Sequence, residues 1–198
     1  MAFDTTQPAQ LTGLQGYTLD VAPTAPTPAN TLSITTKGTV TGTGAEIVAH
    51  DPASQRLFVV SGTNVLEILN IASGTPSLLP QTIDVATVGG LTGGTANSVA
   101  VKNGLVAVAV QHGIKTNNGV VAFYNASDLS LVKTVTVGAL PDMLTFTPDG
   151  KKVLVANEGE SSSGDNLPTA TPNPEGSISI IDLSNGVANA TETKITFS

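Results

Sequence analysis

The chain has 198 residues, a net charge of −7 and no cysteine. That length allows one ordinary domain with a real core, and the missing thiols exclude disulfide frameworks and thiolate chemistry. Only eight basic residues are present, and they are scattered, which excludes the clustered Lys and Arg that nucleic-acid backbones require. The composition is that of an all-β protein, with 20 Gly, 12 Pro, many Val, Ile and Thr, 12% charged residues and no Trp. No window carries the 3.6-residue apolar spacing of a long helix.

Residues 1–31 read as an N-terminal arm or linker. "MAFDTTQPAQLTG" lacks the basic start and apolar run of a cleavable secretory leader. "VAPTAPTPAN" at 21–30 cannot hold a sheet ladder and favours extended chain. No apolar run reaches the length of a membrane span; "LVAVAV" and "ISIIDL" are strand-sized. Residues 32–198 form the second region, which opens on "LSITTKGTV" at 32–40, a polar strand left over from the repeat that follows.

That repeat occurs three times. Each unit begins with a polar residue (Glu46, Asn97, Asp142) ahead of a short apolar strand. A tight turn follows: Asp51-Pro52-Ala53-Ser54, Lys102-Asn103-Gly104, or Pro148-Asp149-Gly150. Proline presets φ and Gly or Asn tolerates positive φ, so these are turns with a mechanism. The second strands are "RLFVV", "LVAVAV" and "KVLVAN", near-continuous apolar runs suited to cover on both faces. The third strands, "VLEILN", "VVAFYN" and "SISIID", each close in a polar turn. The fourth strands, "QTIDV", "LVKTVTV" and "TKITF", are more polar and suit an outer position.

Glu46 and Asn97 are 51 residues apart, and Asn97 and Asp142 are 45 apart. Four antiparallel strands repeated at that period predict β-propeller blades; a β-sandwich is the competing architecture, but does not predict a fixed period. The expected fold is therefore all-β: a partial β-propeller of about three four-stranded blades plus one extra outer strand. Since closed rings have at least ~4 blades, the remaining blades are expected from a missing C-terminal part or from another chain.

Glu46, Asn97 and Asp142 hold the same place in each unit. Stacked radially, they would form an arc of oxygen ligands at one mouth of the channel, suited to Ca²⁺. The alternative is that each caps a strand or hydrogen-bonds to the neighbouring blade. Glu158 and Glu160 flank Gly159 at the start of a loop that also carries Asp165 and Glu175. The other two units have no acids there, so Asp142, Glu158 and Glu160 are the candidate divalent-metal set, able to polarise a phosphoryl oxygen. His50 and His112 are isolated and read as surface residues. Phosphate loops, nucleophile elbows and His-Glu-x-x-His motifs are missing from the sequence.

The stretches "AEIVAHDPASQRLFVVSG", "NSVAVKNGLVAVAV", "VGALPDMLTFTPDGKKVLVANEGE" and "PEGSISIIDLSNG" resemble the choice-of-anchor I family, over about residues 32–198. The resemblance implies a secreted bacterial β-propeller protein, described in some members as alkaline phosphatase-like or phytase-esterase-like, with this chain as an N-terminal portion. Family members usually carry Asp before Pro-Glu-Gly; Asn173 stands there in this chain. Two functions are thereby expected. One is part of an extracellular Ca²⁺-dependent phosphoesterase acting on a phosphate ester. The other is a non-catalytic adhesion or assembly module of a secreted surface protein.

Overall fold

The computed structural model describes residues 35–42, 44–161 and 173–197. The expected arm at 1–31 lies outside them, as does Asp165. The chain divides into two compact units, residues 1–36 and 37–198, and all of the regular structure described below belongs to the second.

Each repeat unit folds as one antiparallel meander, with strands paired in the order in which they occur. Blade 1 contains β1 (Ile47–Asp51), β2 (Arg56–Val60) and β3 (Val65–Asn70), with an outer strand split into β4 (Ser77–Leu78) and β5 (Ile83–Asp84). β4 pairs with the end of β3 and β5 with its start. Pro80 lies between the two pieces and has no N–H to donate, so the ladder breaks there. Of the expected strand "QTIDV", only Ile83–Asp84 is a strand.

Blade 2 contains β6 (Thr95–Lys102), β7 (Leu105–Gln111), β8 (Asn118–Asn125) and β9 (Leu131–Ala139). Its first hairpin turns on Asn103 and Gly104, with φ of 52° and 74°, the two positive values a tight two-residue hairpin requires. Blade 3 contains β10 (Pro141–Phe146), β11 (Lys152–Asn157), β12 (Ser177–Asp182) and β13 (Thr191–Thr196). Its first turn is closed by Asp149, whose Oδ1 accepts from Thr147 Oγ1 at 2.6 Å and from the Lys151 N–H at 3.1 Å.

The sheets stack in series. β6 touches both β1 and β10, so the first strand of each blade lines one side, as in a propeller. Side-chain alternation builds two cores. Val106, Val108 and Val110 of β7 pack with Phe58, Val60, Leu66 and Ile68 of blade 1. Ala107 and Ala109, with Val121 and Phe123 of β8, pack against Leu144, Val153, Val155 and Ile181 of blade 3. "LVAVAV" is continuous because both of its faces are covered. The architecture is thus all-β, an arc of three propeller blades; a two-sheet sandwich is ruled out by the serial stacking.

The extra outer strand at 32–40 is not seen in its described part. Residues 35–42 have no regular structure, since strand propensity without a ladder partner does not make a strand.

Candidate functional site: the rim between blades 2 and 3

The linker from β9 to β10 is one residue, Leu140. It is 4% exposed and held at φ 52°, a region rare for leucine. The segment after β11 keeps it there. The Glu158 N–H donates to Leu140 O at 2.9 Å, and the Gly159 N–H to Ala139 O at 3.1 Å. Gly159 has φ 68°, and a Cβ on it would sit 2.5 Å from Pro174 O and from the Glu175 carbonyl carbon. Only glycine fits where the two ends of the β11–β12 connection pass each other.

Asn157 is buried at the same end. Its Nδ2 donates to Ser177 Oγ at 3.2 Å and Ser179 Oγ at 3.0 Å. Gly138 of blade 2 faces it, and a Cβ there would lie 2.8 Å from Asn157 Cβ and Cγ. The Asn-Glu-Gly-Glu stretch thus serves blade packing before any chemistry.

Asp142, Glu158 and Glu160 are all exposed at this rim. Glu158's carboxyl is held above its ordinary value, by partial burial first and then by the negative charges of Asp142 and Glu160, with Lys115 pulling the other way. Lys115 Nζ donates to Glu160 Oε2 at 3.2 Å, joining the β7–β8 loop of blade 2 to the β11–β12 loop of blade 3. These three acids share one electrostatic environment with a cation built in.

The other predicted ligands lie elsewhere. Asn97 and Asp142 each occupy the slip in register between the first two strands of their blades, so both are bulge residues. Their equivalence in the repeat is real, but their partners differ. Asn97 Nδ2 donates to Gln111 Oε1 and to Pro141 O, both at 3.0 Å, fastening blade 2 to blade 3. Beside it Ser98 Oγ accepts from the Leu144 N–H at 3.3 Å. Glu46 precedes β1, donates its N–H to Val60 O at 2.8 Å and lays its carboxylate over Gly62 of its own blade. Glu175 is exposed, with its backbone against Gly159. Among the described residues, no three His, Cys, Asp or Glu side chains are placed to hold a metal ion. His112 Nδ1 accepts from the Ile114 N–H at 2.9 Å, a turn contact.

Sequence reasoning missed the roles of Lys115, Gly138, Ser98 and Gln111. Lys115 could have been found as the basic residue in the blade 2 loop equivalent to the acidic one. The Gly138 and Ser98 contacts cross between blades and have no local pattern, and Gln111 meets Asn97 from the adjacent strand of the same blade.

The profile of the Choice-of-anchor I domain matches residues 46–198. The chain belongs to the choice-of-anchor I family. No curated protein sequence matches this family member, whereas solved structures do. A provisional 6-phosphogluconolactonase from Bacteroides fragilis superposes with a TM-score of 0.57 at 16% identity, covering 79% of this chain and 40% of that one. Saccharomyces cerevisiae Sqt1 gives 0.52 at 10% identity, covering 78% and 36%. Quinohemoprotein alcohol dehydrogenase from Comamonas testosteroni gives 0.51 at 15%, covering 72% and 26%. These likenesses support the fold alone, and the family member spans well under half of each of those chains. None of its described helices is long and apolar enough to cross a membrane.

Proposed function

We propose that this chain is a blade-forming, non-catalytic module of a secreted surface protein, supplying part of a propeller ring whose rim serves adhesion or assembly. The observation that carries this reading is the use of Asn97. The residue best placed by the repeat to be a channel-mouth ligand spends its amide on Gln111 and on the Pro141 carbonyl of the next blade. Lys115 likewise occupies the charge of Glu160, which a bound cation would otherwise take.

A second reading, a Ca²⁺-dependent phosphoesterase, is supported by the crowding of Asp142 and Glu160 on Glu158. Like charges that raise one another's proton affinity are relieved by a divalent ion. One assay separates the two. Hydrolysis of a generic phosphate ester is measured with Ca²⁺ and with chelator, on this chain and on a family protein with a complete ring. The module reading expects no chelator-sensitive turnover in either. Turnover that disappears with chelator and in Asp142→Ala or Glu158→Ala establishes the phosphoesterase instead.

A further inference from the structure

At the end opposite the acidic rim, every blade closes its second strand in the same way. Arg56, Leu105 and Lys152 begin those strands and pair with the last residues of the third strands, Asn70, Asn125 and Asp182. The residue that follows is also fixed alike in blades 2 and 3. The Ala126 N–H donates to Gly104 O and the Leu183 N–H to Lys151 O, both at 2.8 Å. Arg56 and Leu105 are therefore equivalents, and so are Ala126 and Leu183.

These equivalents treat the gap to the next blade differently. Arg56 reaches from blade 1 into blade 2, where its Nη1 donates to Ala126 O and Ser127 O, both at 2.8 Å. Leu105 has no donor to send across to Leu183 and Ser184 of blade 3. A cleft of about 290 Å³ stands open there, between blades 2 and 3. The cleft beside Arg56 is smaller, about 180 Å³, and has Asp128 in its wall.

The larger cleft has an apolar side and a cationic side. Leu105, Phe146, Leu183 and Val187 form the first, with Phe146 half-buried. Lys102 and Asn103 form the second. A Cβ on Gly150 would stand 3.2 Å from both Lys102 Cγ and Asn103 Nδ2, so both side chains lie over the blade 3 turn. Among the described residues, neither the Lys102 ammonium nor the Asn103 amide has a hydrogen-bond or ion-pair partner. No Asp or Glu lines the cleft, and the Asn125 amide at its edge already donates to Ser130 Oγ at 2.8 Å. A half-buried cation beside an amide donor, with no acid to neutralise it, is matched by an anion.

We propose that this cleft binds a small organic carboxylate with a ring as its body. The carboxylate meets Lys102 and Asn103, and the ring lies against Phe146, Leu183 and Val187. Volume sets the size: at ~30 Å³ per water the cleft holds about ten waters, room for a single ring bearing one carboxylate. The site is at the far end of the strands from Asp142 and Glu158 and depends on neither functional reading.

The test is a titration of the isotope-labelled chain with benzoate, followed through amide chemical shifts. Saturable shifts are expected at Asn103, Gly104, Gly150, Leu183 and Val187, with Asp142 and Glu158 unmoved. Acetate lacks the ring and benzyl alcohol lacks the charge, and each should bind about tenfold more weakly or worse. Lys102→Met keeps the stem, removes the charge and should raise Kd about tenfold or more. Leu105→Arg copies the blade 1 latch and should abolish the shifts by closing the cleft. Amide shifts of Val153–Val155 that match wild type in the unbound variants separate a lost site from a lost fold. Benzoate that produces no saturable shifts overturns the proposal. Acetate binding as tightly as benzoate reduces the site to a surface ammonium and overturns it as well. Undiminished binding in folded Lys102→Met or Leu105→Arg does the same.

Discussion

Blades 2 and 3 are built alike, yet one is buried on both faces and the other on one. β7 reads Leu-Val-Ala-Val-Ala-Val-Gln with its central residues all buried. β11 reads Lys-Val-Leu-Val-Ala-Asn and alternates between buried and exposed. The strands differ little in hydrophobicity. What differs is the neighbour: Ala107 and Ala109 meet blade 3, while Leu154 and Ala156 face outward. Burial in this fold is a property of position in the stack, and a strand's own sequence reports only that both of its faces can be covered.

The sharpest way to break that contrast is to truncate equivalent side chains. Phe123 is fully buried in blade 2; Ile180 is its register equivalent in blade 3 and half-buried. Phe123→Ala should cost about 3–5 kcal/mol in urea unfolding and Ile180→Ala less than ~2. Equal losses would mean that the outer face of blade 3 is covered in solution.

A smaller effect separates the two bulge residues. Asn97→Ala removes the amide bonds to Gln111 and Pro141, with an expected loss of about 1–2 kcal/mol by the same measurement. Asp142→Ala, at an exposed position in the same place of the next blade, should be neutral or slightly stabilising. A comparable loss at both positions would give Asp142 a structural bond that the geometry does not show.

The smallest effect is electrostatic and has a defined pH sign. Glu158 binds its proton more tightly folded than unfolded, above an ordinary value of 4.5. Its ionised form therefore opposes folding once pH rises through that range. Glu158→Gln should raise the thermal midpoint at neutral pH, and the gain should fade as pH falls through the carboxylate range. A gain that persists unchanged in acid would assign it to packing instead of charge.

Much of the fold was legible because it is written locally. Turns such as Lys102-Asn103-Gly104 and Pro148-Asp149-Gly150 carry their own geometry, and the second and third strands of every unit fall where the apolar runs lie. The outer strand of blade 1 was misjudged because Pro80 divides it, a break visible in the sequence but outweighed by the pattern of "QTIDV". The polar pattern at 32–40 suits an outer strand, but a strand exists only with a partner, and the described residues 35–40 have no regular structure. The rim was legible in part. The repeat alignment isolates Glu158 and Glu160, but the charge around them depends on Asp142 and on Lys115 from another blade. Asn97 looked like a ligand because its position repeats; its hydrogen bonds reach across to Pro141, a contact that no single repeat contains.

The Leu140 linker also has a consequence for synthesis. Its left-handed kink is secured by the amides of Glu158 and Gly159, which are translated after the linker and after two strands of blade 3. As the chain emerges N-terminus first, blade 2 can complete its own ladder while the corner leading out of it is still unlocked. The ribosome must deliver Gly159 before that corner is fixed, so the angle between blades 2 and 3 is decided late, by the blade that has just arrived.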